Sequence, residues 1–268
     1  MRRETQQKIV EETNMKPGFK VFAAAVLVML FSAAAFAAGE PPKTETVQFP
    51  SGKETISGYL AVPAAAGHYP GLVLVHEWWG LNDWMKEQAQ KFADAGYVAL
   101  VVDLYRGKVA DTPEEAHELM RGLPQDRALA DLEAGLEYLV TRKEVTHGDV
   151  GVVGWCMGGG LALQLAIRQP RLAACVVNYG SLPTDPSDIQ QIYAPVLGNF
   201  GALDRGITPS DVSDFEKAMK AAGRRVDVKE YDGAGHAFEN SNNKEGYRPE
   251  AAADAWQRTI NFLNKSMR

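Results

Sequence analysis

The run Gly71-Leu72-Val73-Leu74-Val75 has no polar residue on either face of a strand. Successive side chains of a strand point to opposite faces, so such a run needs cover on both. Tyr97–Val102, Val150–Gly154 and Leu172–Val177 repeat the pattern, Pro195–Phe200 does so apart from Asn199, and Val226–Tyr231 reads as a further strand. Between these runs lie segments with helical spacing: Asn82–Ala95, Pro113–Arg121, Gln125–Thr141, Gly158–Arg168, Pro209–Ala222 and Pro249–Asn264. Strands and helices that alternate in this way predict an α/β fold, a mostly parallel sheet with helices on both faces. Thr46–Phe49 and Ile56–Ala61 instead alternate apolar with polar residues around Ser51-Gly52, which predicts an antiparallel hairpin at a sheet edge. No linker or internal repeat follows residue 40, so residues 38–268 are read as a single domain.

The 268 residues are 46% hydrophobic and 23% charged, a balance that excludes a disordered chain or a coiled coil. The formal net charge is −6 and the body has no basic block, which argues against nucleic acid as a partner. Two cysteines cannot build a disulfide-dense scaffold or a four-thiolate zinc site. At the N-terminus, Lys16 and Lys20 precede an apolar run from Val21 to Phe36 that ends in Ala35-Phe36-Ala37. This is the pattern of a signal peptide cut after Ala37, and the run is short for a membrane span. Residues 1–37 are thus read as an export signal, and Met15 as the natural start, with residues 1–14 a start-site artefact. The expected product is acidic, periplasmic or secreted, monomeric, and without a membrane anchor after cleavage.

In a parallel sheet, functional groups collect at the carboxyl ends of the strands. Gly154-Trp155-Cys156-Met157-Gly158 stands there, between an apolar strand and a helix. It is the G-x-S-x-G elbow with cysteine in place of serine. A sharp turn lifts the nucleophile above the sheet, and the helix N-terminus behind it favours a thiolate. Such a nucleophile needs a base and an orienting carboxylate, in the chain order nucleophile, acid, histidine. Asp204 follows the strand Pro195–Phe200, and His236 follows Val226–Tyr231. Asp232 is a rival acid, but it lies too close to His236 in sequence to reach around the ring easily. No two histidines have metal-ligand spacing such as H-x-x-x-H, so no metal is expected.

His76-Glu77-Trp78-Trp79-Gly80 follows the first buried strand, where a second oxyanion donor belongs. The N–H groups of Trp78 and Met157 form the natural pair. A carboxylate at Glu77 needs a partner in such surroundings. The two readings are a hydrogen bond to the resting Cys156 thiol and an ion pair with Arg106 or another cation.

These pieces together resemble the dienelactone hydrolase family of the α/β-hydrolase fold. The likeness rests on His76-Glu77-Trp78-Trp79-Gly80, Asp103-Leu104-Tyr105, Gly154-Trp155-Cys156-Met157-Gly158-Gly159, Pro195-Val196-Leu197-Gly198 leading to Asp204, and Gly235-His236-Ala237-Phe238. It runs from about Thr44 to the last helix. The resemblance implies a Cys156/Asp204/His236 triad, a functional glutamate at Glu77 and hydrolysis of an enol-lactone to an oxo-acid. It also implies arginines that hold a substrate carboxylate, a role that would fall to Arg106. The second such position, shortly after the histidine, holds Glu239-Asn240-Ser241 and no arginine.

The expected activity is hydrolysis of a small-molecule lactone or carboxylic ester by a cysteine nucleophile, without a cofactor. The alternatives are a broad exported carboxylesterase or thioesterase, and a binding module that uses the pocket without turnover.

Overall fold

A computed structural model describes residues 40–267 of the chain. The expected export signal lies outside the described residues. Among the described residues there are eight strands: β1 (Lys43–Ser51), β2 (Glu54–Val62), β3 (Tyr69–Val75), β4 (Val98–Val102), β5 (Val145–Trp155), β6 (Cys175–Asn178), β7 (Val196–Gly201) and β8 (Val226–Tyr231). They form one sheet in the order β1-β2-β4-β3-β5-β6-β7-β8. The β1–β2 and β2–β4 pairs are antiparallel and the rest are parallel, as expected.

The hairpin turns at Gly52-Lys53, with Gly52 at φ 58°, the left-handed region that glycine enters freely. The apolar runs sort by parity. Val73, Val75, Val152 and Val196 join one core cluster, while Leu72, Leu74, Val153 and Val176 join the other. Helices α3 (Gln125–Val140), α4 (Met157–Arg168) and α6 (Pro209–Ala221) cover the first side with residues such as Leu132, Leu163 and Phe215. Helices α1 (Asp83–Asp94) and α7 (Pro249–Met267) cover the second with Met85, Phe92 and Leu263. Each such Leu or Phe, fully buried, stabilises the fold by about 1.5–3 kcal/mol relative to exposure. Asn82 caps α1 by accepting from Met85 N, as its type and position suggest.

Several elements differ from expectation in their bounds. Strand β6 starts at Cys175 rather than Leu172: Leu172 N is held in a turn on Gln169 O (3.1 Å), and the chain joins β5 only from Ala173, whose N–H bonds Val150 O (2.9 Å). Strand β5 starts at Val145, which pairs with Tyr69 across a register shift that hydrophobicity alone does not show. A short helix α5 (Pro186–Ile189) caps on Asp185 and is too brief to carry a periodic pattern. Helix α2 (Pro113–Arg121) follows expectation, capped by Thr112.

The sheet order places β4 on one side of β3 and β5 on the other. The connections reverse direction there, and the crevice that opens at the carboxyl ends is where such folds bind ligands. Glu77 lies two residues past the end of β3, and Cys156 directly follows β5.

Candidate active site

Between β5 and α4 the chain turns on a single residue. Cys156 has φ 53° and ψ −119°, a strained conformation for a residue with a side chain, costing about 1–3 kcal/mol. The turn is tight enough that a Cβ on Gly154 would strike the Gly158 carbonyl, and one on Gly158 would strike that of Val75. Both positions therefore require glycine. The result presents the thiol, half-buried, to a cavity at the N-terminus of α4, whose first N–H groups have no partner within the helix.

The loops after β7 and β8 complete a chain of hydrogen bonds to the thiol. Asp204 follows β7, with its N–H bonded to Gly201 O (3.0 Å). Its Oδ1 accepts from Gly206 N (2.8 Å) and Ile207 N (3.1 Å), leaving Oδ2 for His236 Nδ1 at 2.7 Å. His236 Nε2 stands 3.0 Å from Cys156 Sγ. Asp232 is exposed, and Asp204 is the carboxylate on the ring. Burial works against the charge on Asp204, but His236 and the two N–H groups outweigh it and hold the carboxyl below its ordinary value. Burial likewise opposes a charged His236. Its bonds to Asp204 and Cys156 prevail and raise the ring to about 10. A positive ring beside the sulfur and a helix N-terminus behind it are the surroundings that make a thiol nucleophilic. Cys175, also a free thiol, is fully buried in β6, and burial pushes it well above the ordinary thiol range.

Glu77 is buried as expected, but neither expected partner holds it. Its carboxylate accepts from Tyr179 Oη (3.2 Å) and Asn240 Nδ2 (2.6 Å). Burial raises its pKa, and these two donors counteract part of the rise. Cys156 meets His236 instead. Both donors to Glu77 lie at the same sheet edge, Tyr179 just past β6 and Asn240 four residues beyond His236. The strand-end rule that selected Asp204 could have selected Tyr179.

Arg106 does not reach the cavity. Its guanidinium pairs with Asp131 of α3 (Nη1–Oδ2 2.7 Å, Nη2–Oδ1 3.2 Å) and with Glu54 of β2 (Nη2–Oε2 2.8 Å). The expectation that it clamps a substrate carboxylate is corrected: the side chain is turned towards α3 and the hairpin, and two carboxylates occupy its fork.

The cavity over Cys156 measures about 1220 Å³. Trp78, Trp79, Val109, Met120, Met157 and Leu161 supply its apolar wall. Asn242, Asn243, Lys244 and Glu245 border it from the loop after His236, a segment that sequence reasoning did not single out. Trp78 N–H makes no hydrogen bond within the chain among the described residues, and Met157 is the first residue of α4. Among the described residues no group of three or more His, Cys, Asp or Glu side chains is placed to hold a metal ion.

The profile of the dienelactone hydrolase family matches residues 56–267. The chain belongs to the dienelactone hydrolase family. This family member is 33% identical over 228 residues to protein usf of Aquifex pyrophilus, covering 82% of this chain and 98% of that one. It is 30% identical over 226 residues to a candidate carboxymethylenebutenolidase of Aquifex aeolicus, covering 82% and 97%. The solved structure of a candidate dienelactone hydrolase from Klebsiella pneumoniae superposes with a TM-score of 0.76 at 28% identity, over 83% of this chain and 98% of that one. The architecture is the α/β-hydrolase fold, and the protein is a hydrolase of the dienelactone hydrolase type.

Proposed function

We propose that the protein hydrolyses uncharged esters or lactones with Cys156 as nucleophile. The observation that carries this reading is the pair of contacts Cys156 Sγ–His236 Nε2 (3.0 Å) and His236 Nδ1–Asp204 Oδ2 (2.7 Å) at a strained elbow. The thiolate attacks the substrate carbonyl carbon, and the carbonyl oxygen takes the electron pair between the Trp78 and Met157 N–H groups. When the tetrahedral intermediate collapses, His236 gives its Nε2 proton to the departing alkoxide oxygen. The thioester left on Cys156 is then attacked by water, whose proton passes to His236. Collapse of this second intermediate returns the thiolate and releases the acid. Asp204 holds the ring in the required tautomer and supports its charge throughout.

The preference for uncharged substrates rests on the engagement of Arg106 by Asp131 and Glu54, and on the apolar wall from Trp78 to Leu161. Lys244 borders the cavity beside Glu245, and Asp111 lies on the same rim, so no net positive field awaits a carboxylate. This observation favours the carboxylesterase reading over hydrolysis of an acidic dienelactone. The test is turnover of an aryl ester, a neutral lactone and an acidic lactone by wild type and Cys156→Ala. The neutral substrates should be preferred, and all turnover should vanish in the variant.

The same reading takes the protein as exported, with Ala38 as the first residue after cleavage. Intact mass of material recovered from an exporting bacterial host tests this, and retention of Val21–Phe36 would contradict it.

A further inference from the structure

The reaction just described leaves buried titratable side chains beside the site without a part, His76 among them. His76 directly follows β3, is 0% exposed and packs edge-on against the Tyr105 ring at 4.9 Å. It does not border the cavity. Its Nδ1 lies 2.6 Å from the carbonyl oxygen of Glu77. A carbonyl oxygen only accepts, so Nδ1 carries the hydrogen and donates. Nε2 is then the bare nitrogen, and it meets no donor among the described residues. Burial disfavours the charged ring, outweighing the Glu77 carbonyl and the Asp103 carboxylate that favour it.

The accepting carbonyl has a particular neighbour. Glu77 C=O and Trp78 N–H belong to one planar peptide unit, in which the two groups point in opposite directions. A donor fixed on the oxygen therefore fixes the direction of the N–H. Gly80 N also donates to this oxygen (3.2 Å), from a turn with φ 92° that suits glycine. The Glu77 side chain is pinned separately by Tyr179 and Asn240. Hydrogen bonds on an amide oxygen also polarise the amide and strengthen its N–H as a donor.

We infer that His76 is a positioning residue for the oxyanion site, its Nδ1–H aiming and polarising the Glu77–Trp78 peptide so that Trp78 N–H meets the developing oxyanion. The inference rests on the cysteine-hydrolase reading above. It assigns the ring no contact with substrate and no proton transfer. An imidazole is needed only as a fixed donor in a dry place, and any side chain with a donor at the same point should serve.

The experiment compares wild type, His76→Leu, His76→Phe and His76→Asn in three measurements. These are kcat and KM for an aryl ester, the rate of Cys156 alkylation by iodoacetamide, and the thermal midpoint. Alkylation displaces iodide and builds no oxyanion, so it reads the thiol and His236 alone. His76→Leu and His76→Phe should lower kcat about ten- to a hundredfold, as expected for a misaimed group. KM and alkylation should change by less than about threefold, because neither requires the oxyanion. His76→Asn, whose Nδ2 can take the place of the ring Nδ1, should keep kcat within about threefold of wild type. Unchanged kcat in a folded donor-less variant would overturn the inference. Equal losses of kcat and alkylation would also overturn it, since they report damage to the triad. If neither donor-less variant folds, His76→Asn decides: a hundredfold loss with normal alkylation means that a donor is not sufficient, contrary to the inference. Wild type that turns over no ester or lactone would count against the function reading itself, whereas normal wild-type turnover with an indifferent His76 counts against this inference alone.

Discussion

His236 Nε2 lies 3.0 Å from Cys156 Sγ, although 80 residues separate them in sequence. The relationship depends on two loops and one turn. The elbow at φ 53° lifts the sulfur off the sheet, and the loop after β8 brings the ring over it. Asp204, from the loop after β7, then fixes the ring through Nδ1. Each residue follows the carboxyl end of a parallel strand, so the geometry follows from sheet order more than from any local preference.

Asp204→Asn tests the electrostatic part of this arrangement. The ring titrates at about 10 because its bonds to Asp204 and Cys156 overcome the effect of burial. Above that pH it has no proton to give the leaving oxygen, so ester hydrolysis should decline on an alkaline limb near it. Loss of the Asp204 charge should move that limb down by about 1–3 units. It should also lower kcat by about 10²–10⁴-fold, because an amide can hold the wrong tautomer. A pH–rate profile for both proteins is the measurement.

Arg106→Ala should act on stability and leave substrate choice unchanged. Asp131 is 1% exposed at its side chain and would keep only Ser51 Oγ (2.6 Å) of its two partners. Losing a charged hydrogen-bonding partner should cost about 1.5–3 kcal/mol, read by urea denaturation. The ratio of kcat/KM for a neutral lactone to that for its acidic analogue should stay within about twofold, since a charge-assisted contact to substrate would shift it at least tenfold.

Glu239→Gln should change how stability responds to pH. Glu239 accepts from Trp155 Nε1 (3.1 Å), and burial raises its carboxyl from 4.5 to about 8, outweighing that bond, with the Glu77 charge adding to the rise. The folded chain thus keeps a proton that the unfolded chain has lost, so stability falls as pH rises from 4.5 through 8. The glutamine variant should lose most of that slope and melt higher than wild type at pH 8–9, by about 2–4 °C for each kcal/mol gained. Thermal scans across that range decide the point.

The parallel core and the three residues of the Cys156–His236–Asp204 hydrogen-bonded chain were legible in sequence for the same reason. A strand buried on both faces is largely apolar, and a charged residue just past its carboxyl end then stands out, as Asp204 and Glu77 do. Long-range partners carry no such local mark. Glu77 meets Tyr179 and Asn240 from segments 102 and 163 residues away, and Arg106 meets an aspartate 25 residues on. Nothing in the run Asp103-Leu104-Tyr105-Arg106 shows that its arginine turns towards α3. His76 is apparent only once the peptide plane beside it can be seen.

The proposed mechanism stands or falls on whether Cys156 carries the acyl group. Wild-type protein quenched during turnover of a slow aryl ester, then digested and mapped by mass spectrometry, tests it most directly. One acyl adduct is expected, on Cys156, with Cys175 unmodified and no adduct in Cys156→Ala. An adduct on any other residue, or full hydrolysis by Cys156→Ala, would contradict it.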